Sequence, residues 1–246
     1  MHQQYLPTYI HEFERTKWLV KKAGSYVFYY TSGSPAERDI DTIVSTQLAA
    51  FKKITDFLPI SSEKLPDKIE YYLYPTQKVK KQLMGDDWYA QAIYAELRVH
   101  VLYTNEIKPI GPHEDTHLLS LPFGLAIGFI QEGLAEYMVG RDWYGNDHVG
   151  VVKEGVKNDW VKLKPELLTE HSAWLSTDDA HARHFYALAA TFTKFLIETF
   201  GKESYLHLYK MLDRNAPEEN RLAYAKIFNL SPQELIKKYQ EFINVI

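Results

Sequence analysis

The segment His113-Glu114-Asp115-Thr116-His117 has the spacing of a metal-binding helix. Residues four apart lie on one face of an α-helix, so the imidazoles of His113 and His117 can point at one cation. Neutral imidazole is a good zinc ligand. Glu114 lies about 100° around the helix from His113, where its carboxylate can reach a metal-bound water without joining the ligands. The segment therefore predicts two metal ligands and a general base.

A second segment, Gln131–Tyr137, supplies the carboxylates that such a site needs. A catalytic zinc ion usually takes three protein ligands and keeps one position for water, and Glu132 is the predicted third ligand. A break that contains proline and glycine lets this second helical segment fold back towards the first. Glu136 is one turn further along the helix, and it is predicted to accept a hydrogen bond from the ring of His113 or His117.

The sequence HEDTH followed by QEGLAEY resembles the gluzincin metallopeptidases, especially their small peptidase-MA-like branch. The close resemblance covers residues 113–137 and extends loosely to residues 97–103 and 185–201. It implies a zincin-like fold, one Zn²⁺ ion bound by His113, His117 and Glu132, and hydrolysis of peptide bonds. The segment 118–131 is shorter than in the thermolysin and aminopeptidase branches, which are therefore poor guides to the substrate.

A zinc peptidase also needs a donor that stabilises the oxyanion of the tetrahedral intermediate. Tyr186 is the predicted donor, because similar sequences place a tyrosine near the start of the helix that follows the glutamate ligand. His184 is the alternative. It points about 200° away from Tyr186 on a helix, so at most one of the two side chains can face the metal. His171 is a third candidate.

Composition limits the class of protein. The chain has 246 residues, of which 46% are hydrophobic and 24% are charged, as in an ordinary globular protein. A net charge of −4 argues against general affinity for nucleic acids. The short basic run at Lys78, Lys80 and Lys81 is interpreted as a solvated helix face. There is no cysteine, so any metal must be held by histidine and carboxylate.

The beginning of the chain, residues 1–22, has no apolar core of the kind found in signal peptides. No apolar run is long enough to cross a membrane, so no transmembrane segment is expected. A cytoplasmic location is the expectation, or a secreted one if a leader has been removed.

The hydrophobic pattern predicts an α+β fold. Residues 1–120 are expected to form a lobe with a mixed sheet that carries the HExxH helix. Residues 121–246 are expected to form a mostly helical lobe that carries the glutamate ligand, with the active-site cleft between the lobes. The resemblance implies that a strand near residues 97–103 forms the upper wall of the cleft, where an exposed edge can pair with an extended peptide substrate. Residues 141–176 are expected to be irregular. Strands are predicted at 25–31, 68–74 and 90–103, and helices after Ser34, at 75–84, 126–140 and 180–200, and after Ser231.

Three functions are compatible with these residues. The first is a zinc-dependent metallopeptidase that acts on peptides or proteins, with Glu114 as the general base. The second is a catalytically silent module that binds metal or a partner protein on a peptidase-like fold. The third is a zinc hydrolase of a non-peptide amide. The intact Glu114 favours an enzyme, because a purely structural metal site does not need a base.

Overall fold

The computed structural model describes residues 15–246, and residues 1–14 lie outside it. Most of residues 1–22, where a signal peptide would lie, is therefore outside the described residues. The chain divides into two compact units, of which the first ends at Leu119 and the second comprises Ser120–Ile246. The architecture is α+β, as the sequence predicts.

The first unit is built around one mixed sheet in the order β1-β2-β3-β5-β4. The three middle strands run parallel, and β1 and β4 are antiparallel to their neighbours. The middle strands are rich in tyrosine, valine and other residues with a high β propensity, and they are buried on both faces. The strands are β1 (Leu19–Ala23), β2 (Tyr26–Tyr30), β3 (Ile69–Tyr74), β4 (Ala90–Ile93) and β5 (Arg98–Leu102).

The strand within residues 97–103 is not the exposed edge of the sheet. Strand β5 lies between β3 and β4, and Val99 and Val101 are fully buried. The edge on this side of the sheet is β4, the shorter strand that precedes β5. The sequence pattern predicts β-structure over residues 90–103 but does not show which part of it is covered, because strand order depends on long-range pairing.

Helices α1 (Pro35–Arg38) and α2 (Ile40–Phe57) connect β2 to β3. The side chain of Ser34 accepts a hydrogen bond from the backbone N–H of Glu37, and Pro35 opens the helix, as its fixed φ favours. The predicted continuous helix is interrupted at Asp39. The buried face of α2 is apolar except for Gln47. The side chain of Gln47 forms hydrogen bonds with Gly111 and Asp115.

Helix α3 (Gln77–Met84) precedes β4 and ends at Gly85, whose φ of 83° closes the helix in the left-handed region. The interpretation of Lys80 as part of a solvated basic face is wrong. The Lys80 side chain is fully buried, and its ammonium group forms an ion pair with the buried Asp86. A buried ammonium group is tolerated when a carboxylate compensates its charge. Lys80 lies in α3, and Asp86 follows the turn that ends this helix.

The second unit is helical throughout the residues that the structure describes. Gly140 ends the helix Gly128–Val139 in a left-handed conformation, and Gly201 follows the helix Ala182–Phe200. Its helices are α5 (Gly128–Val139), α6 (His148–Lys157), α7 (Pro165–Thr169), α8 (His171–Leu175), α9 (Ala182–Phe200), α10 (Lys202–Met211), α11 (Pro217–Phe228) and α12 (Pro232–Val245). Helix α12 begins with the predicted capping box of Ser231 and Glu234.

The expectation that residues 141–176 are irregular is wrong, because this stretch contains α6, α7 and α8. Two of its glycines lie inside α6. Gly155 is required by close packing, since a Cβ atom there would lie 2.8 Å from Val161 and 3.0 Å from His184. Gly150 faces open space. Pro165 starts α7 at the position where a helix tolerates proline best.

None of the helices within residues 15–246 has the combination of length and apolarity that a membrane crossing requires.

Candidate metal centre

Helix α4 (Pro112–Leu119) carries the HExxH residues. His113 is half-buried and His117 is buried, and their Nε2 atoms lie 3.3 Å apart. The two rings meet edge to face at an angle of 84°. Two ligands in a tetrahedral zinc site, each about 2.1 Å from the ion, are about 3.4 Å apart. The spacing of the two nitrogens therefore matches that of two ligands on one ion.

The third predicted ligand lies close to this pair. One ligand atom from each of His113, His117 and Glu132 lies within 4.8 Å of the others. The three side chains provide two imidazole nitrogens and one carboxylate oxygen, which is a donor set that zinc accepts. Glu132 is half-exposed. This group could hold a metal ion.

Asp115, between the two histidines in sequence, anchors α4 to the sheet. Its fully buried carboxylate accepts hydrogen bonds from the hydroxyls of Tyr26 and Tyr71, each at 2.5 Å, and from Gln47 Nε2 at 3.0 Å. Burial raises the pKa of Asp115 to about 7, although these hydrogen bonds oppose the shift. The charge of Glu114 also raises it. Asp115 thus fixes the rotation of the helix that presents both histidines.

Gln47 of α2 fixes the beginning of the same helix. Its Oε1 accepts the N–H of Gly111 at 2.6 Å, and its Nε2 donates to the carbonyl of Gly111 at 3.2 Å and to the hydroxyl of Tyr71 at 2.7 Å. Gly111 has a φ of 126°, a conformation that favours glycine. One amide group therefore holds both the glycine that precedes α4 and the tyrosine that binds Asp115.

Replacing Tyr71 with phenylalanine is expected to destabilise the protein by about 2 kcal/mol, because a buried hydrogen-bonded group loses a partner. The lost hydroxyl donates to Asp115 and accepts from Gln47, so both side chains keep a buried polar atom with one bond fewer. The free energy of unfolding can be measured by urea denaturation monitored by circular dichroism.

Tyr224 provides a matched control for this measurement. Its hydroxyl is also buried, but no residue in the described part of the chain forms a hydrogen bond with it. Tyr224→Phe should therefore leave stability unchanged or raise it by up to about 1 kcal/mol. Equal losses in the two variants would show that the hydrogen bonds to Asp115 and Gln47 contribute no specific stability.

Glu114 is half-exposed in the first turn of α4 and is not part of the three-residue ligand group. Its charge acts on the buried ammonium group of Lys80. Burial lowers the pKa of Lys80, whereas the ion pair with Asp86 and the charge of Glu114 raise it. Glu114 and Lys80 therefore interact electrostatically.

Glu136 is buried one helical turn after Glu132. Its Oε2 atom lies 3.0 Å from Nε2 of His148, which is also buried, so the ring N–H can donate to the carboxylate. This contact connects α5 to the beginning of α6. The sequence offered no signal for it, because His148 has no motif partner. The role of Glu136 beside a ligand histidine stays a prediction.

The two candidate oxyanion donors on α9 have different surroundings. The half-buried ring of Tyr186 packs edge to face against Trp143 at 5.8 Å and Trp174 at 5.3 Å. His184 is buried, and its ring lies 5.0 Å from that of Trp160. The Nε2 atom of His184 is 3.7 Å from a carboxylate oxygen of Glu154. The assignment of the oxyanion donor to Tyr186 stays a prediction.

His171, the third candidate, is electrostatically coupled to Glu132, the predicted third ligand. Its Nδ1 atom accepts the N–H of Gly128 at 3.0 Å, so the other ring nitrogen carries the proton in the neutral form. Burial and the charge of Arg214 lower the pKa of His171, and the charge of Glu132 raises it. His171 therefore offers a neutral N–H donor in the surroundings of Glu132. Sequence reasoning ranked it last because no spacing connects it to the motif.

Comparison with protein-family models gives no match, and comparison with curated proteins gives no significant match.

Proposed function

We propose that the protein is a zinc-dependent metallopeptidase of the gluzincin type, with a zincin-like fold. His113, His117 and Glu132 hold one Zn²⁺ ion, and the substrate is a peptide or a protein. The observation that carries the proposal is the convergence of the three ligand atoms within 4.8 Å, next in sequence to a carboxylate outside the ligand group. Two histidines at this spacing on a helix occur by accident more often than the complete set does.

A bound zinc ion would polarise the scissile carbonyl and lower the pKa of a coordinated water towards neutrality. Glu114 takes the proton of the attacking water and passes it to the leaving amine. Asp115 and Gln47 hold α4 so that both histidines keep their orientation. Tyr186 donates a hydrogen bond to the oxyanion, with His184 and His171 as the alternatives.

The sheet edge beside α4 supports a peptide substrate. Among residues 15–246, strand β4 is an edge strand of the sheet and packs against α4, so this edge lies near the helix that carries both histidines. An extended peptide can add to such an edge by pairing its own backbone groups with those of the strand. Because this recognition uses backbone groups, it does not restrict the side chains of the substrate.

Metal analysis of the purified protein tests the ligand assignment. We expect about one zinc ion per chain in the wild type, and His117→Ala should retain less than about a tenth of it because one of three ligands is lost. His207→Ala is the matched control, since His207 is an exposed histidine on α10 outside the ligand group. Equal zinc contents in the wild type and His117→Ala would refute the assignment.

Digestion of a peptide library, with and without a chelator, tests the activity. Cleavage that stops with chelator and returns with added zinc is the expected result. A zinc-loaded protein that cleaves no peptide would point to the silent module. Cleavage of small amides alone would point to the non-peptide hydrolase.

A further inference from the structure

The guanidinium group of Arg214 lies beside the segment that carries the glutamate ligand. Arg214 is half-buried in the connection between α10 and α11. Its Nε donates to the carbonyl of Ala126 at 3.2 Å, and its Nη2 donates to Oε1 of Gln131. Gln131 directly precedes Glu132. The arginine is thereby tied to the first turn of α5 and to the chain just before it.

The connection that carries Arg214 is held in a defined shape. The side chain of Asn220 accepts the N–H of Asp213 at 2.9 Å and donates to the carbonyl of Asp213 at 2.7 Å. It also donates to the carbonyl of Thr169 at 2.8 Å. Asn220 is 1% exposed, so these bonds are shielded from water. Arg214 is therefore presented by a rigid support, as a recognition residue requires.

The positive charge of Arg214 has no carboxylate partner. Both acceptors of its hydrogen bonds are neutral amide oxygens, and Arg214 forms no ion pair with any residue between 15 and 246. Its Nη1 donates to none of these residues either. A guanidinium edge fits a carboxylate with two parallel hydrogen bonds. The guanidinium group of Arg214 can therefore bind an anion that the described residues do not supply.

The electrostatics place Arg214 and Glu132 in one neighbourhood. Burial lowers the pKa of His171, Arg214 lowers it further, and Glu132 opposes both. Burial raises the pKa of Tyr209 to about 12, and again the charges of Arg214 and Glu132 act in opposite directions. The pKa values of His171 and Tyr209 therefore both depend on the charges of Arg214 and Glu132. A ligand bound by Arg214 would lie near the carboxylate of the ligand group.

We propose that Arg214 binds a carboxylate of the substrate, so that the enzyme prefers peptides with a negative charge close to the scissile bond. This inference rests on the proposed peptidase function. The carboxylate can be the C-terminal group of a short peptide or the side chain of an aspartate or glutamate. Both sources present the same planar group to the guanidinium, and matched substrates separate them.

The kinetic test uses substrate pairs chosen from the peptides that the library digestion identifies. One pair differs only in a C-terminal acid or amide, and the other only in an internal Glu or Gln. The wild type should prefer the charged member of one pair by about 10-fold to 100-fold in kcat/KM, the range for a charge-assisted pair. Arg214→Met should reduce this ratio to about 1, and Arg214→Lys should keep part of it.

Arg221→Met is the matched control, because Arg221 is an exposed arginine paired with Glu218 at 3.3 Å on α11. Its substrate ratios should equal those of the wild type. A purely structural Arg214 would lower kcat/KM for both members of each pair equally in Arg214→Met. That result, or a wild-type ratio of 1 in both pairs, would overturn the proposal.

A binding measurement tests whether Arg214 binds a carboxylate even if no peptide is cleaved. Isothermal titration calorimetry of the zinc-loaded protein would compare N-acetyl dipeptides with a free C-terminal carboxylate, with a C-terminal amide, and with an acidic side chain plus the amide. The wild type should bind one of the acidic compounds at least about 10-fold more tightly than the neutral one, and Arg214→Met should bind all three alike. Equal binding of the three by the wild type overturns the role of Arg214. Acid-selective binding without cleavage refutes the peptidase proposal instead.

Discussion

Glu114→Gln should retain the bound zinc ion and lose activity by about 10³-fold, within the range that a positioned general base contributes. Glutamine has nearly the shape of glutamate, so α4 and the two histidines should keep their positions. Its amide cannot accept the proton of the attacking water. The loss should fall mainly on kcat, because Glu114 is not one of the groups proposed to hold the substrate. Steady-state kinetics on a peptide from the library digestion, together with metal analysis of the same sample, measures both quantities.

Glu203→Gln is the control for this variant, since Glu203 is an exposed carboxylate in the first turn of α10. Its kinetics and zinc content should match those of the wild type. Full activity of Glu114→Gln with bound zinc would remove Glu114 from the mechanism. Loss of zinc from Glu114→Gln would instead show that Glu114 supports the ligand group.

The histidine pair could be predicted because its geometry is local. A spacing of four residues on a helix fixes where both rings point, and the two Nε2 atoms are 3.3 Å apart. The anchoring of the helix could not be predicted in this way. Asp115 binds Tyr26 and Gln47, which are 89 and 68 residues away in sequence. Only the folded sheet brings these residues to one buried carboxylate. No periodicity in the sequence predicts these contacts.

The prediction that residues 141–176 are irregular is wrong for a related reason, because it depends on the glycines in this stretch. Glycine lowers helix propensity, so several glycines in a short stretch favour an irregular segment. In α6, however, Gly155 lies where Val161 and His184 leave no room for a Cβ atom. Tertiary packing thus compensates for the low propensity. The same sequence feature can break a helix or let it pack closely, and only the neighbouring side chains decide which.

Gly133→Ala tests this packing directly beside Glu132. A Cβ atom at position 133 would lie 2.5 Å from Oγ1 of Thr193 and 2.7 Å from the carbonyl oxygen of Ala189, both on α9. The threonine hydroxyl can rotate away, but the carbonyl belongs to the backbone of a 19-residue helix. Helix α5 must therefore move. We expect a loss of about 3 kcal/mol in unfolding free energy, the upper part of the range for overpacking.

Gly150→Ala separates this clash from the effect of adding a methyl group to a helix. Gly150 is exposed in α6, and a Cβ atom there would meet nothing within 4 Å. The variant should be as stable as the wild type or more stable by up to about 1 kcal/mol, because alanine favours the helix. Urea denaturation gives both stabilities, and a zinc titration of the folded proteins shows whether the shift also reaches Glu132. If α5 moves as a unit, Gly133→Ala should bind zinc more weakly while Gly150→Ala binds it normally. A Gly133→Ala protein with wild-type stability would mean that the two helices can separate at little cost, and that Glu132 is held in place by something other than their packing.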